Sequence, residues 1–473
     1  MENEATSAGS KLRLAVVVPE VRVADVVFNT AQIQNALGGL KASNPDWVIF
    51  PRLCLTGASC GDLFRQKLLQ AAALQALIEL VPLTAGTASK VLLGLPLGVG
   101  DEVFEVVALL SAGQVQAMML APWPESPALS PSVLIPENSR LQIGDSPLSL
   151  QTKHPFRFGQ VEILLGQQTP GTAGADLLIN LINLPALAPA EDILQTAFDP
   201  ASRQGITVIC SAGASESTTD QVSSGKAEIW QNGHCLAAAP QLTFETQVIQ
   251  AVSDQSLSHS FPVKPTVSGS IQPCRFPFIN SKEPEKQFAR LLEIQSSGLM
   301  KRLLHTHQQK VILGVSGGAD SSQALLVCCR AFDRLGLDRK EILAIHMPGP
   351  GSSHSSRERS TSLADLAGVT QRIIPIGPSL LAHLEDIGHP QGLHDVTFEN
   401  AQARERTQIL MDLPTQQNAL VVGTGDLSEI ALGWCTFNGD HMSMYNVNCG
   451  LPKTLLLRTL VWAGGFLFGQ AGE

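Results

Sequence analysis

The segment from Lys310 to Leu335 admits few folds. Lys310-Val311-Ile312-Leu313 is a short apolar strand. The run "GVSGGADSSQ", Gly314 to Gln323, breaks it with glycines, hydroxyls and a carboxylate, and Ala324 to Leu335 then carries apolar residues at helical spacing. A strand feeding a helix through a Gly-rich turn is half of a βαβ unit. Downstream, "VILGV", "ILAIHM", "QRIIPI" and "ALVVGT" alternate with helical stretches, the rhythm of a doubly wound parallel sheet. Ligands of such sheets gather beyond the C-terminal ends of the strands, and the turn lies at that edge.

The composition of the turn points to an anion. Gly317 and Gly318 are expected to take positive φ and let the backbone approach closely, while the helix starting near Asp320 offers unpaired N–H groups and a partial positive charge. Ser316, Ser321 and Ser322 add hydroxyl donors. Asp320 would repel a phosphate unless a divalent cation bridged them, so this carboxylate implies Mg2+. A purely structural Gly-rich turn satisfies the spacing equally well, and the GK[ST] ending of a Walker loop is missing.

The chain has 473 residues, enough for two or three cores, and a formal net charge of -10, which argues against a general binder of nucleic acid or anionic membranes. Residues from about Leu12 to Val252 read as short strands ("LRLAVVVP", "DWVIFP", "KVLLGLPL", "VFEVVALLSAG", "VEILLG", "DLLINL", "ITVICSAG", "AEIWQNG") interleaved with helices at Asn29 to Leu40 and Gln66 to Leu80. A layered α/β sandwich is expected there. Ser253 to Pro284, rich in Ser, Pro and Gln, reads as a linker, which divides the chain into 1–252, 253–284 and 285–473. The N-terminus is polar, without the apolar core of a signal or anchor, so a cytoplasmic protein is expected. Nine cysteines without CxxC spacing fit reduced core thiols. The run Leu455 to Phe468 contains Arg458, is too short to span a bilayer and reads as a buried strand or helix.

The SGGxDS pattern at Ser316 to Ser321 resembles the pyrophosphate loop of the ATP pyrophosphatases. "HDVTFENAQARERTQILMDL", "VVGTGDLSE", "LGWCTFNGDHMSMYNVN" and "PKT" narrow the resemblance to the synthetase domain of glutamine-dependent NAD synthetases. "FPRLCLTGASCGDLF", "VLLGLPL", "GADLLINL" and "SAGASESTTD" are similar to their nitrilase-type glutaminase domain. The resemblance implies an N-terminal nitrilase-like αββα sandwich and a C-terminal adenine nucleotide alpha hydrolase-like sheet. It also implies a ligase that uses ATP and Mg2+ to amidate deamido-NAD through an acyl-adenylate, and a homo-oligomer.

What the resemblance implies for single residues starts at the loop, Ser316, Gly317, Gly318, Asp320, Ser321 and Ser322, as the pyrophosphate site. Asp320 and Glu429 become metal ligands, and Lys453 a phosphate contact. Met347, Arg404 and Thr424 become nucleotide contacts, with Glu399 or Asn400 positioning Arg404. Asp440 orients substrate, and Trp434 and Phe437 either stack on a nicotinate ring or pack in a core. By residue chemistry alone Arg404, Glu399, Glu405 and Arg406 are equally an ion-paired helix face.

Three departures from the family are visible. Its glutaminase uses a glutamate base, a lysine and a cysteine nucleophile; here Arg52, Ala121 and Leu164 stand at those positions. A glutaminase without activity is expected, with ammonia free or delivered by a partner. In "GPGSSHSSRER" His354 replaces an aspartate; Ser352, Ser353 and Arg357 either reach phosphates or belong to a solvated loop. Twenty residues follow Lys453, fewer than the family carries. The rival expectation is a scaffold that binds nucleotide, or an intact synthetase, without turnover.

Overall fold

A computed structural model describes residues 11–122, 126–135, 139–143, 146–153, 155–159, 161–165, 177–188, 205–253, 279, 283–350 and 352–467. The chain forms two compact units: Met1–Ala186 with Ala190–Gly269, and Leu187–Pro189 with Ser270–Glu473. Most of the linker expected at 253–284 lies outside the described residues.

The first unit runs β1 (Arg13–Val18), α1 (Val26–Leu40), β2 (Trp47–Ile49), α2 (Lys67–Leu80), β3 (Lys90–Val99), β4 (Glu102–Ser111), β5 (Gln114–Leu120), β6 (Arg140–Ile143), β7 (Ser146–Gln151), β8 (Phe156–Phe158), β9 (Val161–Leu165), β10 (Leu177–Leu181), β11 (Ile206–Cys210), β12 (Ala227–Gln231), β13 (His234–Ala238) and β14 (Gln247–Val252). Among the described residues it holds two sheets, ordered β14-β1-β2-β3-β4-β5-β7-β6 and β13-β12-β11-β10-β9-β8. Strand alternation sorts the apolar residues. Leu14, Val16 and Ile49 of the first sheet meet Ile163, Ile179 and Val208 of the second in one buried layer. Ala15, Val17 and Val48 face the other way, against Ile33, Ala36 and Leu40 of α1 and Ala73, Leu77 and Leu80 of α2. Full burial of each such Leu, Ile or Val contributes roughly 1.5–3 kcal/mol. Lys67–Thr84 is long and apolar enough to cross a membrane, yet Leu69, Ala73, Ala76, Leu77 and Leu80 are buried in this core.

The second unit holds α3 (Pro284–Thr306), β15 (Val311–Gly314), α4 (Ala319–Leu335), β16 (Ile342–His346), α5 (His354–Ala367), β17 (Thr370–Ile373), α6 (Gly377–Asp386), α7 (Val396–Gln417), β18 (Leu420–Gly423), α8 (Leu427–Leu432), β19 (Tyr445–Asn446) and α9 (Lys453–Leu467). Among the described residues its sheet has the order β17-β16-β15-β18-β19, and every pairing is parallel. The chain winds outward from β15 through β16 to β17, then returns to the far side of β15 as β18. The topological switch point therefore lies between the ends of β15 and β18. Residues 187–188 join this unit: the carbonyls of Leu187 and Ala188 accept from Arg290 Nε (3.2 Å) and Gln287 Nε2 (3.4 Å) of α3. The apolar run near the C-terminus is helix α9, with Leu455 and Leu456 buried against Phe288 and Leu291 of α3.

Candidate active site

A cavity of about 950 Å³ opens at the switch point, lined by the C-terminal ends of β15, β16 and β18. Parallel strands direct their following loops to one edge, so Ser316, Asp320, Met347 and Thr424 arrive together from distant sequence positions. Helix α7 closes one side with Val396, Glu399, Asn400, Ala403, Arg406 and Leu410, the three- and four-residue steps of a single helical face.

The Gly-rich turn forms the floor. Gly317 has φ +78°, and a Cβ there would lie 2.9 Å from Arg359 Cβ and 3.0 Å from the Ser356 carbonyl. Gly318 departs from the expectation of positive φ. It is the N-cap of α4 in extended conformation (φ −89°, ψ 166°), because entering a helix from a strand requires an extended residue there. Its N–H donates to Ser316 Oγ (3.2 Å), and its carbonyl accepts from Ser321 Oγ (3.0 Å) and Ser322 Oγ (2.8 Å). These bonds hold the turn while the first N–H groups of α4 begin without helical acceptors, a suitable seat for an anion.

Beside the turn, Asp320 in the first turn of α4, Asp426 and Glu429 bring carboxylate oxygens within 4.8 Å of one another. Asp426 caps α8: it accepts from Glu429 N (2.8 Å), and Glu429 Oε2 accepts from Asp426 N (3.2 Å). Such a pair of carboxylates repels by on the order of 3 kcal/mol at an effective dielectric of about 20. Lys453 offsets that repulsion, with Nζ 2.7 Å from Asp320 Oδ1, 2.8 Å from Asp426 Oδ2 and 3.3 Å from Glu429 Oε1. Burial pulls the Lys453 ammonium down, but the three carboxylates outweigh it and hold the group above its ordinary value. Burial likewise pushes the Asp426 carboxyl up, while Lys453 and the Glu429 and Ser428 N–H groups leave it below the carboxylate range. An all-oxygen donor set of this kind fits a hard divalent cation such as Mg2+.

Asn448, fully buried, ties the two halves together: its Nδ2 donates to the carbonyls of Asp320 (2.9 Å) and Thr424 (2.8 Å). Gln295 of α3 donates to Asn448 Oδ1 (3.1 Å) and accepts from Gln323 (2.8 Å). Neither Asp426 nor Asn448 stands among the residues singled out from sequence. Asp426 is visible there only as the fourth letter of "GTGD", and Asn448 as the end of "YNVN".

Other expected residues are placed as follows. Met347 and Thr424 line the cavity, as do Glu399 and Asn400; Asn400 Oδ1 accepts from Thr436 Oγ1 (3.0 Å). Arg404 is exposed, lies off the cavity wall and donates Nε to the Phe437 carbonyl (3.1 Å). Arg406, two residues on, is the arginine that lines the cavity, and it donates Nε to the Met347 carbonyl (3.1 Å). Asp440 lines the rim and accepts from Thr436 N (2.8 Å). Core packing of Trp434 and Phe437 is ruled out by exposures of 77% and 75%; Trp434 stands on the cavity rim. Of the stretch expected either to reach phosphates or to form a solvated loop, the part from His354 onward begins α5, capped by Ser353. From it Ser352 and Ser356 line the cavity, Ser356 Oγ donates to the Ser316 carbonyl (2.6 Å), and Arg357 stays exposed.

Residues 291–460 match the family model described as NAD synthase. The glutamine-dependent NAD(+) synthetase of Mycobacterium tuberculosis (strain ATCC 25618 / H37Rv) is 31% identical over an alignment covering 98% of this chain and 76% of its own length. The chain belongs to the glutamine-dependent NAD synthetase family. A solved member from Cytophaga hutchinsonii superposes with TM-score 0.77 at 18% identity, covering 98% of this chain and 83% of that one. Another, from Acinetobacter baumannii in complex with ADP, gives 0.73 at 18%, covering 96% and 82%. Both share the fold.

Arg52, Ala121 and Leu164, the positions that the resemblance sets against the glutaminase residues, lie in the first unit. Arg52 is buried and ion-paired with buried Glu105 of β4. Ala121 follows β5 and Leu164 lies within β9; both are buried and apolar. Cys54 and Cys60, read from sequence as core residues, are buried, and burial pushes their thiols up to about 12 and about 11.

Proposed function

We propose that this chain is an NAD+ synthetase that amidates deamido-NAD with ATP and takes its nitrogen from ammonia, free or delivered by a partner. The observation carrying this reading is the convergence of the Ser316–Ser322 turn, Asp320, Glu429 and Lys453 on one edge of the cavity. A carboxylate oxygen of the substrate attacks the α-phosphorus of ATP, the bond to the β-phosphate oxygen breaks, and pyrophosphate leaves into the turn at the start of α4. The lone pair of ammonia then adds to the acyl carbon, protons pass to solvent, and AMP departs with the adenylate oxygen.

The protein contributes alignment and charge neutralisation. The Gly317 turn and the serine hydroxyls receive pyrophosphate, Met347 and Thr424 border the nucleotide, and Glu399, Asn400, Trp434 and Asp440 border the dinucleotide acid. Asp320 and Glu429 would hold Mg2+, which when bound neutralises phosphate charge. Ammonia dependence is supported by Arg52, a permanent cation that cannot act as general base, and by Leu164, which offers no nucleophile.

The test is purified protein with ATP, Mg2+, deamido-NAD and ammonium, following pyrophosphate and NAD+ together. Equal release of both, lost in Asp320→Ala by at least about a hundredfold and lacking when glutamine is the only nitrogen source, is the expected result. Glutamine-driven turnover would refute ammonia dependence, and nucleotide binding without either product would favour a scaffold role beside an intact synthetase.

A further inference from the structure

Lys453 occupies the place of a cation. Its Nζ lies among Asp320 Oδ1, Asp426 Oδ2 and Glu429 Oε1 at 2.7, 2.8 and 3.3 Å. These are the carboxylates whose ligand atoms fall within 4.8 Å of one another. The Asp426 side chain is fully buried and aimed into the cluster. Its Oδ2 lies 2.8 Å from the ammonium. Two cations cannot share that space.

The backbone around the cluster is anchored while the lysine side chain is long. Asp426 and Glu429 are locked by the capping box of α8, Lys453 N donates to Ser428 Oγ (3.0 Å), and Asn448 holds the Asp320 carbonyl. Four methylenes let Nζ leave the carboxylates without moving α9, and the phosphate-accepting turn that begins α4 is adjacent.

We propose that the Lys453 ammonium and a divalent cation are alternative occupants of one cradle built from Asp320, Asp426 and Glu429, exchanged when a nucleoside triphosphate binds. Without nucleotide the lysine neutralises the carboxylates and competes with metal, which binds there only weakly. The arriving triphosphate offers the ammonium new anionic partners, the lysine transfers to phosphate oxygens, and the metal enters the vacated carboxylates. Metal and nucleotide then bind with positive coupling. This rests on the metal-dependent nucleotide reading above and adds Asp426 as a third carboxylate of the cradle.

Mn2+ is the probe, its free-ion paramagnetic resonance signal reporting binding to the full chain. Wild type without nucleotide is expected to bind Mn2+ weakly, and Lys453→Met at least about tenfold more tightly, a factor worth about 1.4 kcal/mol. Adding Asp426→Asn to Lys453→Met should reverse the gain. Wild type with a non-hydrolysable ATP analogue should bind Mn2+ tightly. Equal nucleotide-free affinities in wild type and Lys453→Met overturn the exchange while leaving nucleotide-dependent metal binding intact. Failure of wild type to bind Mn2+ with the analogue overturns the underlying reading as well. A second measurement needs no variant: millimolar Mn2+ alone should accelerate amine labelling of Lys453 in wild type, and unchanged labelling at saturating metal counts against exchange.

Discussion

Arg52 and Glu105 show how a buried cation is accommodated by its surroundings. A guanidinium with 1% side-chain exposure is paired there with a carboxylate of 0% exposure. Arg52→Met would leave Glu105 charged and buried, and should cost about 3–5 kcal/mol in urea unfolding; Arg52→Met with Glu105→Leu should recover most of that. On the proposed ammonia-dependent reading, Arg52→Glu should give no glutamine hydrolysis, measured as glutamate release, because it sets two carboxylates together and leaves Ala121 and Leu164 unchanged. In the second unit, Arg406 rather than Arg404 faces the cavity. Arg406→Ala should raise KM for ATP about tenfold, the worth of a charged hydrogen bond to the Met347 carbonyl, with kcat little changed. Arg404→Ala should do so less.

At the scale of elements, the strand, turn and helix from Lys310 to Leu335 were legible because β15, Gly317 and α4 obey local rules: an apolar strand, a residue needing φ > 0 and an amphipathic helix. Asp320 and Glu429, singled out by family likeness, come together because they follow β15 and β18, which are paired neighbours. Asp426, Arg406 and Asn448 were not legible, since a buried cap, a cavity-facing arginine and a side chain bridging two loops acquire meaning only once α7, α8 and the loops are packed. Short β13, β14 and β19 were missed for the related reason that pairing partners, not their own sequence, make them strands. The close approach of α5 to the turn carries a prediction. A Cβ on Gly317 would meet Arg359 Cβ at 2.9 Å and Ser360 N at 3.1 Å, in a backbone conformation costing a non-glycine residue roughly 1–2 kcal/mol. Gly317→Ala should lower the thermal midpoint and weaken ATP binding at least about tenfold by calorimetry.

Over the whole molecule, burial of thiols couples stability to alkaline pH. Cys54, Cys60 and Cys210 of the first unit and Cys328 and Cys329 of the second are buried, and desolvation is the largest influence on each. Cys54 is pushed up to about 12, Cys60 and Cys329 to about 11, and Cys210 and Cys328 well above the ordinary thiol value. In the unfolded chain these thiols ionise near about 8.5. The folded form therefore retains protons that the unfolded form releases, so stability is intact below about 8.5 and falls as pH rises toward the folded values. Each thiol contributes a slope approaching about 1.4 kcal/mol per pH unit in that window. Under reducing conditions the urea midpoint should stay level from pH 7 to 8 and drop steeply by pH 9.5. Cys328→Ala should reduce the slope for the second unit, and a midpoint unchanged at pH 9.5 would show that these thiols ionise without unfolding. Native alkylation at pH 8, mapped by mass spectrometry, should in the same way mark exposed Cys235, Cys435 and Cys449 and spare the five buried thiols.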